Sequence, residues 1–170
     1  TGYGVVAYLR LCDDRDQIHC SLLMGKARLA PLKIVTIPRL ELTAAVVSVH
    51  MGELLKRELD GILDLRYHTD STTILCYIRS EEQRFHVFVA NRVQLIRDQS
   101  DPNQWKYVET NDNPADDASR GVTGERLLQQ RRWFEGPEFL WKPEQEWPQQ
   151  PIDMGPISND DPEMKEKTSS

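Results

Sequence analysis

The chain opens with two long apolar segments that partly alternate with polar residues. They cover 3–11 and 18–29, and the polar stretch DDRDQ separates them at 13–17. Alternation with a period of two favours strands, and a short break of turn-forming residues joins antiparallel neighbours. We therefore predict a β-hairpin, followed by a short third strand near 34–37.

A long helix is predicted directly after this strand region, over 39–59. Pro38 suits the entrance of a helix, because the first turn does not use the backbone N–H that proline lacks. Apolar residues then recur at the spacing of one helical face. These residues are Leu40, Val47, Met51, Leu54 and Leu55.

The remaining patterns alternate between helix and strand. We predict a strand over 64–70, helices over 71–79 and 85–97, a strand over 105–108, a helical turn over 116–120 and a helix over 125–132. Strands that alternate with helices imply an α/β fold with a mixed sheet.

The length of 170 residues suits one ordinary α/β core and is short for two. We predict a folded domain over 1–121, a helix and a connector rich in tryptophan and proline over 122–148, and a disordered acidic tail over 149–170. The tail has almost no large apolar side chains, so it cannot bury enough surface to offset the entropy of ordering. Of the net charge of −6, residues 144–170 supply −5, so the body is nearly neutral.

No apolar run approaches the roughly 20 residues that cross a bilayer, and no leader pattern stands at the start. We therefore expect a soluble chain with no membrane partner. The three cysteines lack the paired spacing of zinc sites, so we expect reduced thiols in the core. The stretch 25–39 contains four basic residues and no acid, which indicates either a local basic surface or a solvated strand edge.

Three acidic residues lie near predicted junctions between strand and helix. Glu41 is expected in the first turn of the long helix, Asp70 at the end of a strand, and Asp116 in the motif NPADDASRG. Two magnesium ions roughly 4 Å apart would need several such oxygen ligands to hydrolyse a phosphodiester. Alternatively, Glu41 could complement a helix dipole, and the two aspartates could be helix N-caps.

Several longer motifs carry a family resemblance, which spans nearly residues 2–148. The chain resembles the polyprotein of BEL/Pao retrotransposons, in the ribonuclease H-like region that follows reverse transcriptase. The resemblance implies a mixed five-stranded sheet with flanking helices, extended here by the Trp/Pro-rich C-terminal segment. The motifs are GYGVVAYLRL, MGKARLAPLK, TIPRLELTAAV, HTDSTTILCYI, RFHVFVANRVQLIRD, NPADDASRG and GPEFLWKPEQEWP.

The resemblance also implies catalytic residues that bind two Mg²⁺ ions, with Mn²⁺ as an alternative. The acid of RLEL corresponds to Glu41, that of TDST to Asp70 and that of NPAD to Asp116, while Asp117 is the less favoured partner. The family places a fourth acid ahead of Thr1, so we expect the isolated fragment to be inactive. The loop over 109–115 also lacks the histidine that cellular relatives often place there to assist product release.

The implied substrate is an RNA:DNA hybrid, whose RNA strand is cut during reverse transcription. Contacts to sugars and phosphates suit an enzyme that ignores sequence. The candidate nucleic-acid-binding residues are Ser71, Thr72, Asn91, Arg92 and Arg120. The resemblance further implies reverse transcriptase upstream and integrase downstream in the same polyprotein. It also implies a location in cytoplasmic virus-like particles, with entry of the retrotransposon into the nucleus as a further step.

Two other functions stay open at this point. One is an aspartic peptidase, because this polyprotein region is sometimes labelled a retrotransposon peptidase and Asp70-Ser71-Thr72 is similar to the peptidase triplet. Such peptidases need a glycine at the third position for a tight turn, and position 72 is a threonine. The other is a connector that binds nucleic acid between polymerase and integrase without catalysis, or a decayed copy.

Overall fold

The chain forms two compact units, and each unit is made of segments that are distant in sequence. The computed structural model describes residues 2–61, 63–81 and 84–165. Unit 1 consists of Thr1–Val35 and Val108–Gln150, and unit 2 consists of Thr36–Tyr107 and Pro151–Ser170. This division differs from the predicted domain over 1–121, since contacts between distant segments define the units.

Unit 1 is built on the predicted hairpin. Strand β1 (Gly2–Cys12) pairs antiparallel with β2 (Ile18–Leu29), with a register shift between Ala7 and Tyr8. In the turn, the side chain of Asp13 accepts hydrogen bonds from two backbone N–H groups, at 2.8 and 2.9 Å. Local pattern and turn chemistry therefore agree, and the hairpin prediction is confirmed.

Three short helices complete unit 1: α4 (Pro114–Arg120), α5 (Gly124–Gln129) and α6 (Arg131–Glu135). Helix α4 lies close to β1 at Gly4, where an added Cβ would be 2.6 Å from the carbonyl oxygen of Ala115. The missing side chain therefore permits this approach.

The segment rich in tryptophan and proline also packs on the hairpin. It forms 3₁₀ turns at Glu138–Trp141 and Glu144–Glu146. Arg10 of β1 donates from Nε to the carbonyl oxygen of Leu140 at 2.7 Å, and its guanidinium lies 5.2 Å from the ring centre of Trp147. These contacts attach the segment to β1.

Unit 2 combines three helices with a pair of parallel strands. Helices α1 (Ile37–Glu58), α2 (Thr72–Arg79) and α3 (Val87–Gln99) pack with β3 (Tyr67–Thr69) and β4 (Trp105–Tyr107). The rings of Tyr67 and Trp105 stack with centroids 4.8 Å apart. The buried core comprises Leu42, Ala45, Val49, Tyr67, Ile74, Leu75, Tyr77, Ile78, Phe85, Val89, Val93, Ile96 and Trp105.

The predicted five-stranded sheet is not what the described residues form. Within residues 2–61, 63–81 and 84–165, four strands make two separate two-stranded sheets, β1 with β2 and β3 with β4. The predicted third strand near 34–37 is wrong, because Ile37 already begins α1 and Pro38 occupies its first turn. Leu32 and Ile34 before it are fully exposed, so their apolar character reflects no strand packing.

Residues 151–165, called here the C-terminal segment, belong to unit 2, although we predicted disorder over 149–170. Met154, Ile157 and Met164 pack against the core, and Met164 forms an antiparallel bridge with Phe85. The segment has few large apolar residues, but these few are packed against the core and hold the segment in place. The last part of the predicted tail, 166–170, lies outside the described residues.

Two further expectations concern cysteines and membranes. The three cysteines are free thiols, but Cys12 is exposed, so the expected core position holds for Cys20 and not for Cys12. Among the helices that the structure describes, none has the length and apolar character to cross a bilayer.

Candidate active site

Glu41 projects from α1 of unit 2. It is the fifth residue of the helix, just beyond the first turn, which holds no acidic residue. The prediction of a first-turn position was therefore slightly wrong, and so was the alternative that Glu41 complements the dipole there, since that effect is confined to the terminal turn. Its side chain is half-buried.

Ser71 connects Glu41 to the start of α2. Its hydroxyl donates to Oε2 of Glu41 at 2.6 Å and accepts a hydrogen bond from the backbone N–H of Ile74 at 3.2 Å. Ser71 is only 7% exposed and is the N-cap of α2. One hydroxyl thus satisfies a helix terminus and orients a carboxylate.

Asp70 directly follows β3 and precedes this cap. Burial raises the pKa of the Glu41 carboxyl, the hydrogen bond from Ser71 lowers it, and the negative charge of Asp70 raises it, so that the pKa lies above its ordinary value. Two carboxylates that interact in this way favour either a shared proton or a bound cation. The structure therefore brings Glu41 and Asp70 into one electrostatic environment.

Asp116 belongs to unit 1, in the first turn of α4. Its carboxylate forms an ion pair with Arg120 at 2.9 Å, one helical turn later. The neighbouring Asp117 is bound by Arg132, which donates to Oδ2 from Nε at 3.0 Å and from Nη2 at 2.6 Å. The two acids of the motif therefore have different partners.

The alternative interpretation of the aspartates as helix N-caps is wrong for both. The N-cap of α2 is Ser71, the residue after Asp70. The N-cap of α4 is Asn113, whose Oδ1 accepts from the backbone N–H of Ala115 at 3.1 Å. Their positions therefore need an explanation other than capping.

The remaining candidate residues lie on helix surfaces. In unit 2, Thr72 is exposed at the first position of α2, and Asn91 is exposed on α3. Arg92 is half-buried, with its guanidinium 3.5 Å from the ring centre of Phe88. In unit 1, Arg120 is 71% exposed while it pairs with Asp116.

Sequence reasoning missed two connections, Ser71 to Glu41 and Arg132 to Asp117. Ser71 lies 30 residues from Glu41, and Arg132 lies 15 residues from Asp117. A serine immediately before a helix signals an N-cap, but spacing gives no indication that the same hydroxyl contacts another helix.

The donor chemistry at Glu41 and Asp70 suits a hard cation such as Mg²⁺, which prefers carboxylate oxygens. No group of three or more His, Cys, Asp or Glu side chains is arranged for one metal ion within 2–61, 63–81 and 84–165. Unit 2 thus contains two acidic side chains near each other, and Ser71 donates a hydrogen bond to one of them.

An N-terminal hairpin, a parallel strand pair, flanking helices and acids near strand ends together fit a mixed α/β protein of the ribonuclease H-like class. The family model described as "Pao retrotransposon-like RNaseH-like domain" matches residues 1–71. The match supports a Pao retrotransposon RNase H-like region in residues 1–71, and the predicted resemblance is confirmed there. It includes Glu41 and Asp70 and ends before Asp116. Comparisons with curated proteins and with solved structures gave no significant match.

Proposed function

We propose that this chain is the nuclease part of a retrotransposon polyprotein and hydrolyses the RNA strand of RNA:DNA hybrids. The observation that carries the proposal is the arrangement of Glu41, Ser71 and Asp70, two acids in one environment with a hydroxyl that orients one of them. The family description of residues 1–71 as RNase H-like supports this function over the peptidase alternative.

Glu41 and Asp70 would hold divalent ions, and Asp116 is the third predicted ligand. Two bound Mg²⁺ ions would activate the attacking water and stabilise the leaving oxygen. The hydrogen bond from Ser71 fixes the orientation of the Glu41 carboxylate and favours the ionised form that a metal requires. Hydrolysis forms a bond from the water oxygen to phosphorus and breaks the bond from phosphorus to the leaving oxygen.

The neighbours of the chain form part of the same proposal. The family description names a retrotransposon, which suggests a polyprotein context. Reverse transcriptase upstream would then produce the hybrid. Integrase downstream would use the finished DNA. A virus-like particle in the cytoplasm would be the place of this reaction.

The test measures cleavage of an RNA:DNA hybrid with labelled RNA by the polyprotein that contains this chain, with Mg²⁺ or with EDTA. We expect Mg²⁺-dependent cleavage that falls at least about 100-fold in Glu41→Gln, Asp70→Asn and Asp116→Asn, since each removes a charged metal ligand. Ser71→Ala should raise the Mg²⁺ concentration needed for half-maximal cleavage by about tenfold, because the Glu41 carboxylate would be less well oriented. Glu53→Gln is the matched control, because Glu53 lies on the same helix and pairs with Lys56 at 2.8 Å.

Three results would contradict the proposal that the chain is a nuclease. Hybrid binding without cleavage would favour the non-catalytic connector. Proteolysis that is independent of Mg²⁺ would favour the peptidase. Cleavage by Asp70→Asn at the rate of the parent would show that the reaction uses other residues.

A further inference from the structure

The guanidinium of Arg39 in unit 2 is engaged by a carboxylate from the C-terminal segment. Arg39 donates from Nε to Oε1 of Glu163 at 2.6 Å and from Nη2 to Oε2 at 2.9 Å. The side chain of Glu163 is 5% exposed, whereas that of Arg39 is 35% exposed. An arginine near the surface thus holds an anion in the two-bond geometry that guanidinium groups form with carboxylates and phosphates.

A second arginine lies beside the first, and an aromatic ring is shared between them. The guanidinium carbons of Arg39 and Arg92 are 4.7 and 3.5 Å from the ring centre of Phe88. Burial lowers the pKa of Arg92, and the positive charge of Arg39 lowers it further. Two cations that contact the same ring repel each other, and an anion near both reduces this electrostatic repulsion. Arg39, Phe88 and Arg92 are called here the arginine cluster.

The C-terminal segment contacts the rest of unit 2 through polar groups and through the packing of Met154, Ile157 and Met164 on the core. Asp161 accepts a hydrogen bond from the hydroxyl of Tyr77 at 2.7 Å, and Met164 bridges to Phe85. Of these anchors, only Glu163 contacts the arginine cluster through a charged group. A change at Glu163 or Asp161 therefore removes a polar anchor of the segment and leaves both arginines intact.

A phosphodiester matches the bound carboxylate in the features that Arg39 recognises. Each presents two oxygens that share one negative charge, and both accept two parallel N–H bonds from a guanidinium. Arg92 adds a second positive charge that a single carboxylate does not neutralise. The cluster is therefore better matched to a phosphate-rich chain than to one glutamate.

We propose that the arginine cluster is a binding site for phosphodiester groups of a nucleic-acid backbone, and that Glu163 of the same chain occupies this site until nucleic acid displaces it. The choice of nucleic acid as the anion rests on the proposed function, whereas the site itself rests on the geometry of Arg39, Phe88, Arg92 and Glu163.

The first test measures binding of a fluorescent RNA:DNA hybrid to the full chain by anisotropy, in EDTA so that no cleavage occurs. Glu163→Gln should raise the affinity on the order of tenfold, because a competing occupant reduces the fraction of binding-competent molecules. Asp160→Asn is the matched control: it removes one charge from the same segment, and Asp160 is exposed. It should change affinity by less than about twofold, as expected of a screened surface charge.

The second test removes the cations one at a time. Arg39→Gln and Arg92→Gln should each weaken binding and lower the slope of log K against log salt by about 1, since each deletes one phosphate contact. Poly-glutamate of equal net charge is the competitor, and it should bind more weakly than the hybrid. Tighter binding of poly-glutamate would overturn the proposal in favour of an acidic protein partner.

A further variant keeps the proposal testable if Glu163→Gln does not fold. Tyr77→Phe removes only the hydrogen bond to Asp161 and should also raise hybrid affinity, with circular dichroism confirming an intact fold. The proposal is overturned if neither Glu163→Gln nor Tyr77→Phe raises affinity, or if Asp160→Asn raises it equally. Because binding is measured without Mg²⁺, these results do not depend on whether the chain cleaves the hybrid.

Discussion

The hydroxyl of Ser71 shows how a single side chain can define a site. It joins a carboxylate and a helix terminus that belong to different elements of unit 2. The sequence allowed us to select Glu41 and Asp70 as candidates, because both lie near predicted junctions between strand and helix and both belong to motifs that carry the family resemblance. It did not indicate the connection through Ser71, since hydrogen bonds between elements depend on tertiary packing.

The pH dependence of stability can be predicted from His68. Burial, together with the positive charges of Arg66 and Lys106, lowers the pKa of this imidazole from its ordinary 6.5 to about 4. The unfolded chain therefore takes up a proton that the folded chain resists as pH falls from 6.5 towards 4. This contribution to stability is complete above pH 6.5, and up to about 3 kcal/mol is lost by pH 4.

Urea unfolding of His68→Gln at pH 7 and pH 4.5 measures this loss. The variant should lose less stability between the two values than the parent, since glutamine does not titrate. His50→Gln is the control, because His50 is exposed on α1. Equal losses in the parent and in His68→Gln would show that other groups set the pH dependence.

At the scale of elements, local pattern determined most of what could be predicted. The hairpin and α1 lie where periodicity places them, and the observed bounds differ from the predicted ones by a few residues. The short strands β3 and β4 have only three residues each, so alternation alone could not fix their ends. The prediction of a third strand was wrong because α1 begins at Ile37, the last residue of the apolar run that indicated a strand.

The contact between α4 and β1 leads to a prediction for Gly4. In Gly4→Ala the added Cβ would clash with the carbonyl oxygen of Ala115, so we expect a loss of about 1–3 kcal/mol in the free energy of unfolding. Gly124→Ala is the matched control, since nothing lies within 4 Å of its added Cβ. Denaturant titration of both variants provides the measurement, and a Gly4→Ala protein as stable as the parent would disprove the close approach.

At the scale of the whole chain, the two units could not have been inferred from sequence order. Each joins two segments that are far apart in the chain, and contacts of that range leave no periodic pattern. The C-terminal segment is the clearest case. Its composition is typical of disorder, yet residues such as Glu163 and Met164 hold it against unit 2.

Replacing residues 151–165 by glycine and serine at equal length should destabilise unit 2. The core would lose the cover that Met154, Ile157 and Met164 provide, so amide exchange in α2 and α3 should become at least about tenfold faster. Ile152→Ser is the control, because Ile152 is fully exposed. Unchanged protection of both helices after the replacement would show that the segment contributes nothing to their stability.

The interleaved order of the two units also affects how the protein is made. The hairpin leaves the ribosome before the rest of unit 1, which emerges only after residues 36–107 have been synthesised. The stretch that completes unit 2 follows later still. Nascent chains therefore carry incomplete apolar surfaces through most of translation, which is a condition that favours chaperone binding.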